Sequence, residues 1–208
     1  MFHVERDAEV PTLPETPVPR ETSERLRAYL ALLMEWNRRI NLIGPAPMET
    51  LWTRHIMDSW QLLPLFPPGP MADIGSGAGL PGIVLALGHQ GPIHLIESDR
   101  RKAAFLLEAC RRLSLSHVTV HPTRVDTIIL PQLASVTARA FAPLTTLLSH
   151  AHRLLRRDGV AIFPKGQSAD TELTEASRHW FMQAERFASR TEARATILRL
   201  SEIRPVTS

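Results

Sequence analysis

The segment of the chain best suited to binding a ligand is rich in glycine and reads Asp73-Ile74-Gly75-Ser76-Gly77-Ala78-Gly79-Leu80-Pro81-Gly82. Glycine lets the backbone turn sharply and lets a ligand approach the main chain, and the helix that follows offers free N–H groups at its start. The G-x-G-x-G spacing differs from that of a dinucleotide-binding loop, whose third glycine comes one residue later. The segment therefore predicts a ligand site and disfavours a nucleotide-dependent oxidoreductase.

Two carboxylates follow this loop at positions that suit an adenosine. Glu97, at the end of the second predicted strand, can accept hydrogen bonds from both ribose hydroxyls, and Asp126, after the third strand, can accept one from the adenine amino group. Each has a simpler explanation, since Glu97 could cap a helix and Asp126 could be a surface acid. The carboxyl ends of parallel strands meet at one edge of an open sheet, where ligands bind. Together the loop and the two acids predict an adenosine pocket at that edge.

Short apolar runs alternate with helical patterns after residue 70, which is typical of a parallel sheet covered by helices. Strands are expected at 71–74, 93–97, 117–121, 135–138 and 160–163, with helices between them and two further strands within 183–203. Pro81 suits the first position of a helix that Gly88 ends, and Ser98 or Asp99 can cap the next one. Cys110 lies in the apolar stripe of that second helix, which favours a core residue over a nucleophile.

The N-terminal third of the chain has a different pattern. Four prolines within residues 11–19 disfavour a helix and predict an extended, flexible arm. From Thr22 to Ile40 apolar residues recur every three or four positions, which predicts an amphipathic helix, and a second helix is expected over 47–63. The predicted division of the chain is an arm at 1–21, a helical N-terminal extension at 22–69 and a ligand-binding core at 70–208.

Composition narrows the class of protein. The chain has 208 residues, of which 44% are hydrophobic and 22% charged, and this fits one ordinary domain. It lacks a secretory signal, a run of about 18 apolar residues and the cysteine and histidine spacing of a metal site, so we expect a cytoplasmic protein without metal. The net charge is +3, with the basic residues concentrated in the middle of the chain. This permits a polyanionic partner, although a run such as Arg100-Arg101-Lys102 is more often a solvated helix face.

The ligand-binding pattern resembles the S-adenosylmethionine-dependent methyltransferase fold, in which the acid before the loop, here Asp73, helps hold the cofactor. The similarity extends to one family, the bacterial 16S rRNA guanine-N7 methyltransferases, also called glucose-inhibited division protein B. The matching blocks are Trp36-Asn37 with Asn41-Leu42, Arg54-His55-x-x-Asp58-Ser59, the whole DIGSGAGLPG loop, Arg124-Val125 with an acid following, Arg139-Ala140-Phe141-Ala142, and Lys165-Gly166. The chain departs from the family pattern at Ala134 and Pro164, and the family's basic C-terminal tail is faint.

The resemblance implies a Rossmann-like class I α/β fold, with a seven-stranded, parallel-rich sheet and helices on both faces. It implies S-adenosyl-L-methionine as cofactor and, as substrate, a guanine in the 530 loop of 16S rRNA within the small ribosomal subunit or an assembly intermediate, with no membrane and no obligate protein partner. The expected cofactor contacts are Asp73, Gly75, Gly77, Gly79, Leu80, Glu97, Val125, Asp126 and Arg139. The expected RNA contacts are Arg124, Lys165 and His55, and Arg139 is also the expected catalytic residue.

Guanine N7 has a lone pair in the ring plane and bears no hydrogen, so it can attack a methyl sulfonium without a general base. The enzyme must mainly orient the two groups, which can lower a barrier by roughly 7 to 11 kcal/mol. The sequence agrees, since it lacks the Asn-Pro-Pro-aromatic motif of exocyclic-amine methyltransferases and the Pro-Cys pair of pyrimidine C5 methyltransferases.

Arg139 is the candidate for orienting the base, because its planar fork suits guanine O6 or a phosphate. The alternative is a buried ion pair with Asp73 or Asp126. His55 and Asp58 lie three apart on the second predicted helix and share a face, so they could close the pocket or form a capping or packing pair. A rival function is a non-catalytic RNA-binding ribosome-assembly factor with a methyltransferase-like fold, which would have no physical need for the loop and its carboxylates.

Overall fold

The computed structural model describes residues 10–206, and its strands form one seven-stranded sheet. The strands are β1 (Met71–Ile74), β2 (Ile93–Ile96), β3 (Val118–His121), β4 (Leu133–Thr137), β5 (Leu155–Lys165), β6 (Trp180–Ala188) and β7 (Thr196–Pro205). Their order is β3-β2-β1-β4-β5-β7-β6, and only the pairs that involve β7 are antiparallel. The predicted α/β fold with a parallel-rich, seven-stranded sheet is confirmed.

Helices occupy most of the connections between the strands. They are α1 (Arg20–Asn37), α2 (Met48–Leu51), α3 (Asp58–Trp60), α4 (Gly82–Ala86), α5 (Arg100–Arg112), α6 (Leu144–Leu154) and α7 (Ala169–Ala176), with a π-helical turn at Trp52–Met57 and 3-10 turns at Leu63–Leu65 and Val125–Thr127. The second predicted helix, 47–63, is therefore present but irregular. Between β3 and β4 the expectation of a helix is wrong, because Pro122, Pro131 and several β-branched residues leave only the 3-10 turn.

The proline-rich arm differs from the expectation of a flexible segment. Residues 10–19 are extended, as the prolines predict, but they pack against the rest of the protein: Thr12 bridges to Ala188, and Leu13 is buried. The indole Nε1 of Trp60 donates to the carbonyl of Thr16 at 3.0 Å. Burial of a leucine side chain stabilises a fold by roughly 1.5 to 3 kcal/mol, which opposes the entropy of a free arm. The first nine residues of the predicted arm lie outside the described residues.

The core has two layers, one on each face of the sheet. Side chains of α1, α4 and α5 fill one layer together with those of α2 and α3, and side chains of α6 and α7 fill the other. The layer under α1 joins the helical N-terminal extension to the sheet without a break, so the boundary at residue 69 stays a prediction. Cys110 is half-buried against this layer, and burial raises the pKa of its thiol to about 11, as suits a core residue.

The sheet reverses its order at β1, which pairs with β2 on one side and β4 on the other. The chain thus leaves β1 and β4 at the same edge but turns to opposite faces, and this switch point is where open α/β sheets bind ligands. The glycine-rich loop follows β1, Glu97 follows β2, and Arg139 follows β4 by two residues. Among the described residues, no helix combines the length and the apolar character needed to cross a membrane.

Candidate cofactor and RNA site

The glycine-rich loop after β1 has a backbone that other residues could not adopt easily. Gly75, Gly77 and Gly79 all have positive φ, at 68°, 53° and 79°. A methyl group on Gly79 would lie 2.5 Å from Cγ1 of Ile83, and one on Gly75 would overlap the ring of Phe141. The loop is therefore shaped by glycine in the manner that the sequence predicted, and its surface is backbone.

Helix α1 holds this loop from above. The hydroxyl of Tyr29 is fully buried and donates to the carbonyl of Ala78, inside the loop. Burial raises the pKa of this hydroxyl above its usual range, so the donor is always protonated. The N-terminal extension thus contributes directly to the ligand site, a contact that the sequence pattern did not reveal.

Glu97 braces the loop from the end of β2. Its Oε2 accepts the N–H of Gly77 at 2.8 Å and its Oε1 accepts the N–H of Asp99 at 2.7 Å, while the side chain is almost fully buried. Asp99, not Glu97, caps α5, since its Oδ1 accepts the N–H groups of Arg101 and Lys102 at 2.8 and 3.1 Å. The alternative of Glu97 as a helix cap is therefore wrong. Each carboxylate oxygen can accept a second hydrogen bond, so Glu97 keeps two acceptor positions for ribose hydroxyls.

Asp73 carries a buried oxygen atom that has no protein partner. Its Oδ2 accepts the N–H of Gly82 at 3.1 Å, but its Oδ1 has no hydrogen bond and the residue is 1% exposed. Burial raises the pKa of this carboxyl to about 7, opposed by the Gly82 bond and by the positive charge of Arg139. An unpaired acceptor in a buried position costs about 1 to 3 kcal/mol unless a ligand satisfies it. Asp73 is thus suited to a donor or a cationic group of a ligand.

The 3-10 turn after β3 supplies the third part of the predicted pocket. Asp126 is half-exposed there, and its Oδ2 lies 3.0 Å from Nη2 of Arg124, while its Oδ1 lies 3.8 Å from Nδ1 of His150. Val125 is buried, and its carbonyl accepts a hydrogen bond from Arg153. Leu80 is buried behind the loop. The structure places Asp126 in the turn after β3, and its contact with adenine stays a prediction.

Arg139 lies at the end of β4 and contacts the N-terminal extension. Its Nη1 is 3.4 Å from Oδ2 of Asp58, and its Nη2 is 3.3 Å from Nδ1 of His55. The alternative of an ion pair with Asp73 or Asp126 is therefore wrong, because the ion pair of Arg139 is with Asp58. Burial, followed by the charges of Arg139 and Arg54, lowers the pKa of His55, so the neutral imidazole can accept from the guanidinium. His55 and Asp58 thus hold Arg139 and do not cap a helix.

Asp58 is in turn held by the turn between β6 and β7. Its Oδ1 accepts the hydroxyl of Thr191 at 2.6 Å and the amide Nε2 of Gln61 at 2.9 Å. Gln61 is buried and uses its Oε1 to accept the N–H of Arg190 at 2.8 Å. Sequence reasoning missed Gln61 and Thr191, since their contacts with Arg190 and Asp58 each join residues more than a hundred positions apart and form no motif.

Lys165 differs from the expectation of a free phosphate ligand. Its Nζ lies 2.8 Å from Oε2 of Glu172 and 3.3 Å from the carbonyl of Ala142, and its side chain is only 10% exposed. The same Glu172 oxygen accepts the N–H of Leu144 at the start of α6. Lys165 therefore joins β5, α7 and the segment that carries Arg139, and it cannot reach a phosphate without breaking a shielded ion pair.

The described residues contain no group of three or more histidine, cysteine, aspartate or glutamate side chains that could hold a metal ion. The acids of the site are instead engaged with backbone N–H groups, as with Glu97, or with arginines, as with Asp58 and Asp126. Asp73 differs from these acids, since its Oδ1 has no hydrogen-bond partner and suits a cationic group of an organic ligand.

Comparison with known proteins shows the family to which the chain belongs. A model of the family described as rRNA small subunit methyltransferase G matches residues 22–198. The chain belongs to this family. A ribosomal RNA small subunit methyltransferase G from Granulibacter bethesdensis is 50% identical over 188 residues, which are 89% of this chain and 88% of that protein. One from Rhodospirillum rubrum is 48% identical over 91% of this chain and 94% of that protein.

Solved structures share the fold of this family member at low identity. An O-methyltransferase from Bacillus cereus in complex with SAH is similar with a TM-score of 0.56 and 12% identity, over 84% of this chain and 90% of that chain. M. jannaschii TYW2 in complex with AdoMet has a TM-score of 0.53 and 12% identity, over 73% of this chain and 76% of that chain. These likenesses show the class I methyltransferase fold of this chain. Its membership of a methyltransferase family supports S-adenosyl-L-methionine as the cofactor.

The residues present fit this cofactor on three independent grounds. The glycine loop gives it a backbone surface, Glu97 keeps acceptor positions for ribose hydroxyls, and the unpartnered Oδ1 of Asp73 suits its positively charged methionine end. When bound, the cofactor supplies an activated methyl group on a sulfonium. The cofactor contacts themselves stay predictions for the whole expected set, namely Asp73, Gly75, Gly77, Gly79, Leu80, Glu97, Val125, Asp126 and Arg139.

Cofactor affinity should depend on pH through Asp73. Because the pKa of this carboxyl is about 7, it is protonated at lower pH and ionised at higher pH, and only the ionised form attracts a cation. We expect the affinity to rise with pH between about 5.5 and 7, by up to about tenfold per unit, and then to level off. Calorimetric titration with the cofactor's product, S-adenosyl-L-homocysteine, and with a cationic analogue measures this.

The matched control for this pH effect is Asp73→Asn, which keeps the shape but cannot ionise. Its affinity should be lower at pH 7.5 and independent of pH over the same interval. A slope in the Asn variant equal to that of the natural protein would show that another group is responsible.

Proposed function

We propose that this protein transfers a methyl group from S-adenosyl-L-methionine to N7 of a guanine in the 530 loop of 16S rRNA. The observation that carries the proposal is the placement of Arg139, whose guanidinium is fixed by Asp58 and His55 beside a loop built for the cofactor. Family membership supplies the substrate class, because the curated relatives are named as methyltransferases of small-subunit ribosomal RNA. The substrate is the rRNA within the small subunit or an assembly intermediate, the reaction is cytoplasmic, and no protein partner is required.

The chemistry asks the protein to orient the base. N7 attacks through an in-plane lone pair and gives up no proton, so neither His55 nor Asp73 has to act as a general base. Arg139 donates to guanine O6, which lies on the same edge as N7, and this fixes the ring in the direction of the methyl group. Its remaining N–H groups stay on Asp58 and His55, so the base meets a donor that is already oriented. Orientation of this kind can supply roughly 7 to 11 kcal/mol of the barrier.

Phe141 provides a surface on which the guanine can stack. Its ring lies over Gly75 at the mouth of the loop, and the residue is 43% exposed although it is large and apolar. Stacking of a base on an aromatic ring contributes about 1 to 3 kcal/mol. Phe141 follows Arg139 by two residues, so one short segment after β4 supplies both the ring and the hydrogen-bond donor. Lys165 and Glu172 hold that segment through Ala142 and Leu144.

Arg124 is the expected phosphate contact that remains exposed. Its side chain is 75% exposed, and it forms an ion pair with the half-exposed Asp126. An exposed ion pair of this kind contributes little, about 0 to 1 kcal/mol, so a phosphate can replace its partner at small cost. Lys165 acts instead as a positioning residue for the segment with Arg139.

The proposal is tested by offering labelled S-adenosyl-L-methionine to deproteinised 16S rRNA and to small subunits from cells that lack the enzyme. We expect label in the RNA of at least one of the two. The comparison also assigns the substrate form, since a protein that acts on an assembled site labels subunits in preference to bare rRNA. Absence of label from both would contradict the proposal and favour the non-catalytic assembly factor.

Asp58 should affect the rate of methyl transfer through its contact with Arg139, and Thr191 holds Asp58 in place. Thr191→Val removes the 2.6 Å hydrogen bond to Asp58 and keeps the size of the side chain. We expect kcat for methyl transfer to fall about tenfold, because a hydrogen bond to a charged group contributes about 1.5 kcal/mol or more. The cofactor dissociation constant should stay unchanged. Thr191→Ser keeps the hydroxyl and should restore kcat.

The control for the turn itself is Ser189→Ala. Ser189 hydrogen-bonds to Gln61, to the backbone N–H of Thr191 and to the Thr191 hydroxyl at 3.1 Å, but not to Asp58, so the bond from Thr191 to Asp58 remains in this variant. Its replacement should leave kcat near the natural value. Equal losses in Thr191→Val and Ser189→Ala would mean that the turn matters only for stability.

A further inference from the structure

Three basic side chains line a cavity beside the cofactor pocket, and two more basic residues adjoin them in the chain. The cavity has a volume of about 390 Å³ and is lined by Arg39, Ile40, Asn41, Asp99, Arg101 and Lys102. Arg38 and Arg100 adjoin these residues in the chain. We call the five bases, Arg38, Arg39, Arg100, Arg101 and Lys102, the basic rim. In the sequence, Arg100, Arg101 and Lys102 form one run, for which a solvated helix face is the simplest explanation. The structure brings the turn that contains Arg38 and Arg39, about sixty residues earlier, next to this run.

The basic rim lacks acidic partners. Within residues 10–206, none of its five side chains has a carboxylate within 4 Å. The arginines at the other end of α5 differ, since Arg111 and Arg112 both pair with Glu108. Asp99 is the one acid that lines the cavity, and its Oδ1 already accepts two backbone N–H groups of α5. The charge of Asp99 offsets part of the positive charge of Arg101 and Lys102, and the excess of positive charge that is left favours an anionic partner.

The two halves of the basic rim are held at fixed positions. After α1 ends, Asn37 closes the turn, because its Oδ1 accepts the N–H groups of Leu42 and Ile43 at 2.8 and 3.0 Å and its Nδ2 donates to the Ile43 carbonyl at 2.9 Å. This fixes the backbone on both sides of Arg38 and Arg39. On the other side, the Asp99 cap fixes the first turn of α5.

The basic rim also adjoins the predicted ribose position. Oε1 of Glu97 accepts the N–H of Asp99, which directly precedes Arg100 of the basic rim. The other oxygen of Glu97 accepts the N–H of Gly77 in the glycine-rich loop. A ligand on the rim therefore lies at the edge of the pocket and not on a remote face. Arginine forks bind phosphate oxygens in bidentate fashion, and such contacts fix the register of a nucleic acid without reading its sequence.

We propose that the basic rim binds phosphates of the rRNA backbone and so positions the strand that carries the target guanine. This inference rests on the proposed function for the identity of the RNA. The RNA would span from the rim across the cofactor pocket to Arg139 and Phe141, with Arg124 as a further phosphate contact.

The test is the salt dependence of rRNA binding by the triple variant Arg39→Gln, Arg101→Gln, Lys102→Gln, measured on the full chain without cofactor. Loss of three phosphate contacts should reduce the slope of log affinity against log salt by roughly 2 to 3 and weaken binding on the order of ten- to hundredfold. At saturating rRNA, kcat should stay near the natural value while KM rises. The cofactor dissociation constant should not change, which also reports that the variant is folded.

The matched control is the triple variant Arg20→Gln, Arg111→Gln, Arg178→Gln. It removes the same charge from exposed arginines that are paired with nearby glutamates. We expect a much smaller change in slope. Equal changes in the two triple variants, or an unchanged slope in the rim variant, would overturn the inference. If the slope falls as expected but the natural protein incorporates no methyl group, the proposed function fails while the rim as an RNA site stands.

Discussion

Replacement of Arg139 by alanine should lower the rate of methyl transfer by about 100- to 1000-fold, the range seen when one oriented donor is removed from an active site. At a pH well above the pKa of Asp73, where this carboxylate is ionised in both proteins, the dissociation constant for S-adenosyl-L-methionine should change little, because the loop, Glu97 and Asp73 do not depend on Arg139 for their hydrogen bonds. Single-turnover methylation with saturating rRNA, combined with a separate cofactor titration, measures the two effects.

Two variants separate the orienting role of Arg139 from a structural one. Arg139→Lys keeps the charge but loses the planar fork, so it should recover little activity. Asp58→Asn leaves the guanidinium present but weakens its hold, so its rate should lie between those of Arg139→Ala and the natural protein. An equal loss of rate and of cofactor affinity in Arg139→Ala would contradict base orientation and would make Arg139 a part of the cofactor site.

Replacement of Glu97 by alanine should weaken cofactor binding on the order of 100-fold or more, since hydrogen bonds to a charged group are worth about 1.5 to 3 kcal/mol each. Two sets of bonds are lost, the predicted ones to the ribose and those that Glu97 makes to the N–H groups of Gly77 and Asp99. The loop loses its brace at the same time as the ligand loses its acceptor. Calorimetric titration with S-adenosyl-L-homocysteine measures the affinity.

Glu97→Gln is the matched comparison for this prediction. The amide keeps one acceptor oxygen but presents N–H groups toward the second backbone donor, so the loss should be intermediate. Thermal unfolding without cofactor distinguishes the two roles, because only the brace contributes in that state. If Glu97→Ala binds the cofactor like the natural protein, the ribose position is elsewhere.

Those parts of the site that follow one another in the chain could be predicted from the sequence. The loop, its preceding Asp73 and the carboxylate at the end of β2 are set by local rules, namely where a strand ends and which backbone only glycine adopts. The strands were found within a few residues for the same reason, although β5 extends well beyond the predicted 160–163. The departure at Pro164 falls inside that longer strand.

The partners of the predicted residues could not be obtained in this way. The alternative for Arg139 was an ion pair with Asp73 or Asp126, but Arg139 contacts Asp58, which the fold brings from 81 positions away. Lys165 was expected to be free for phosphate, but Glu172 neutralises it. Residue type and spacing do not report which charges become neighbours across a sheet, because that depends on how separate layers pack.

The proline-rich arm shows a further limit of the sequence. Proline predicts extended backbone, and residues 11–19 are extended, but the same pattern fits a free segment and a docked one. A single apolar side chain, Leu13, is fully buried, and Thr16 accepts the indole hydrogen bond of Trp60. Whether one leucine finds a place in a core is a property of the core and not of the arm.

The central claim, N7 methylation of a guanine in the 530 loop, is tested most directly by mapping the modified base. Small subunits from cells that lack the enzyme would be incubated with the protein and S-adenosyl-L-methionine, and the extracted 16S rRNA would be cleaved chemically at N7-methylguanine. We predict one new cleavage site, within the 530 loop, that is absent with Arg139→Ala. Methyl incorporation without cleavage at a guanine of that loop, or cleavage elsewhere in the rRNA, would contradict the claim.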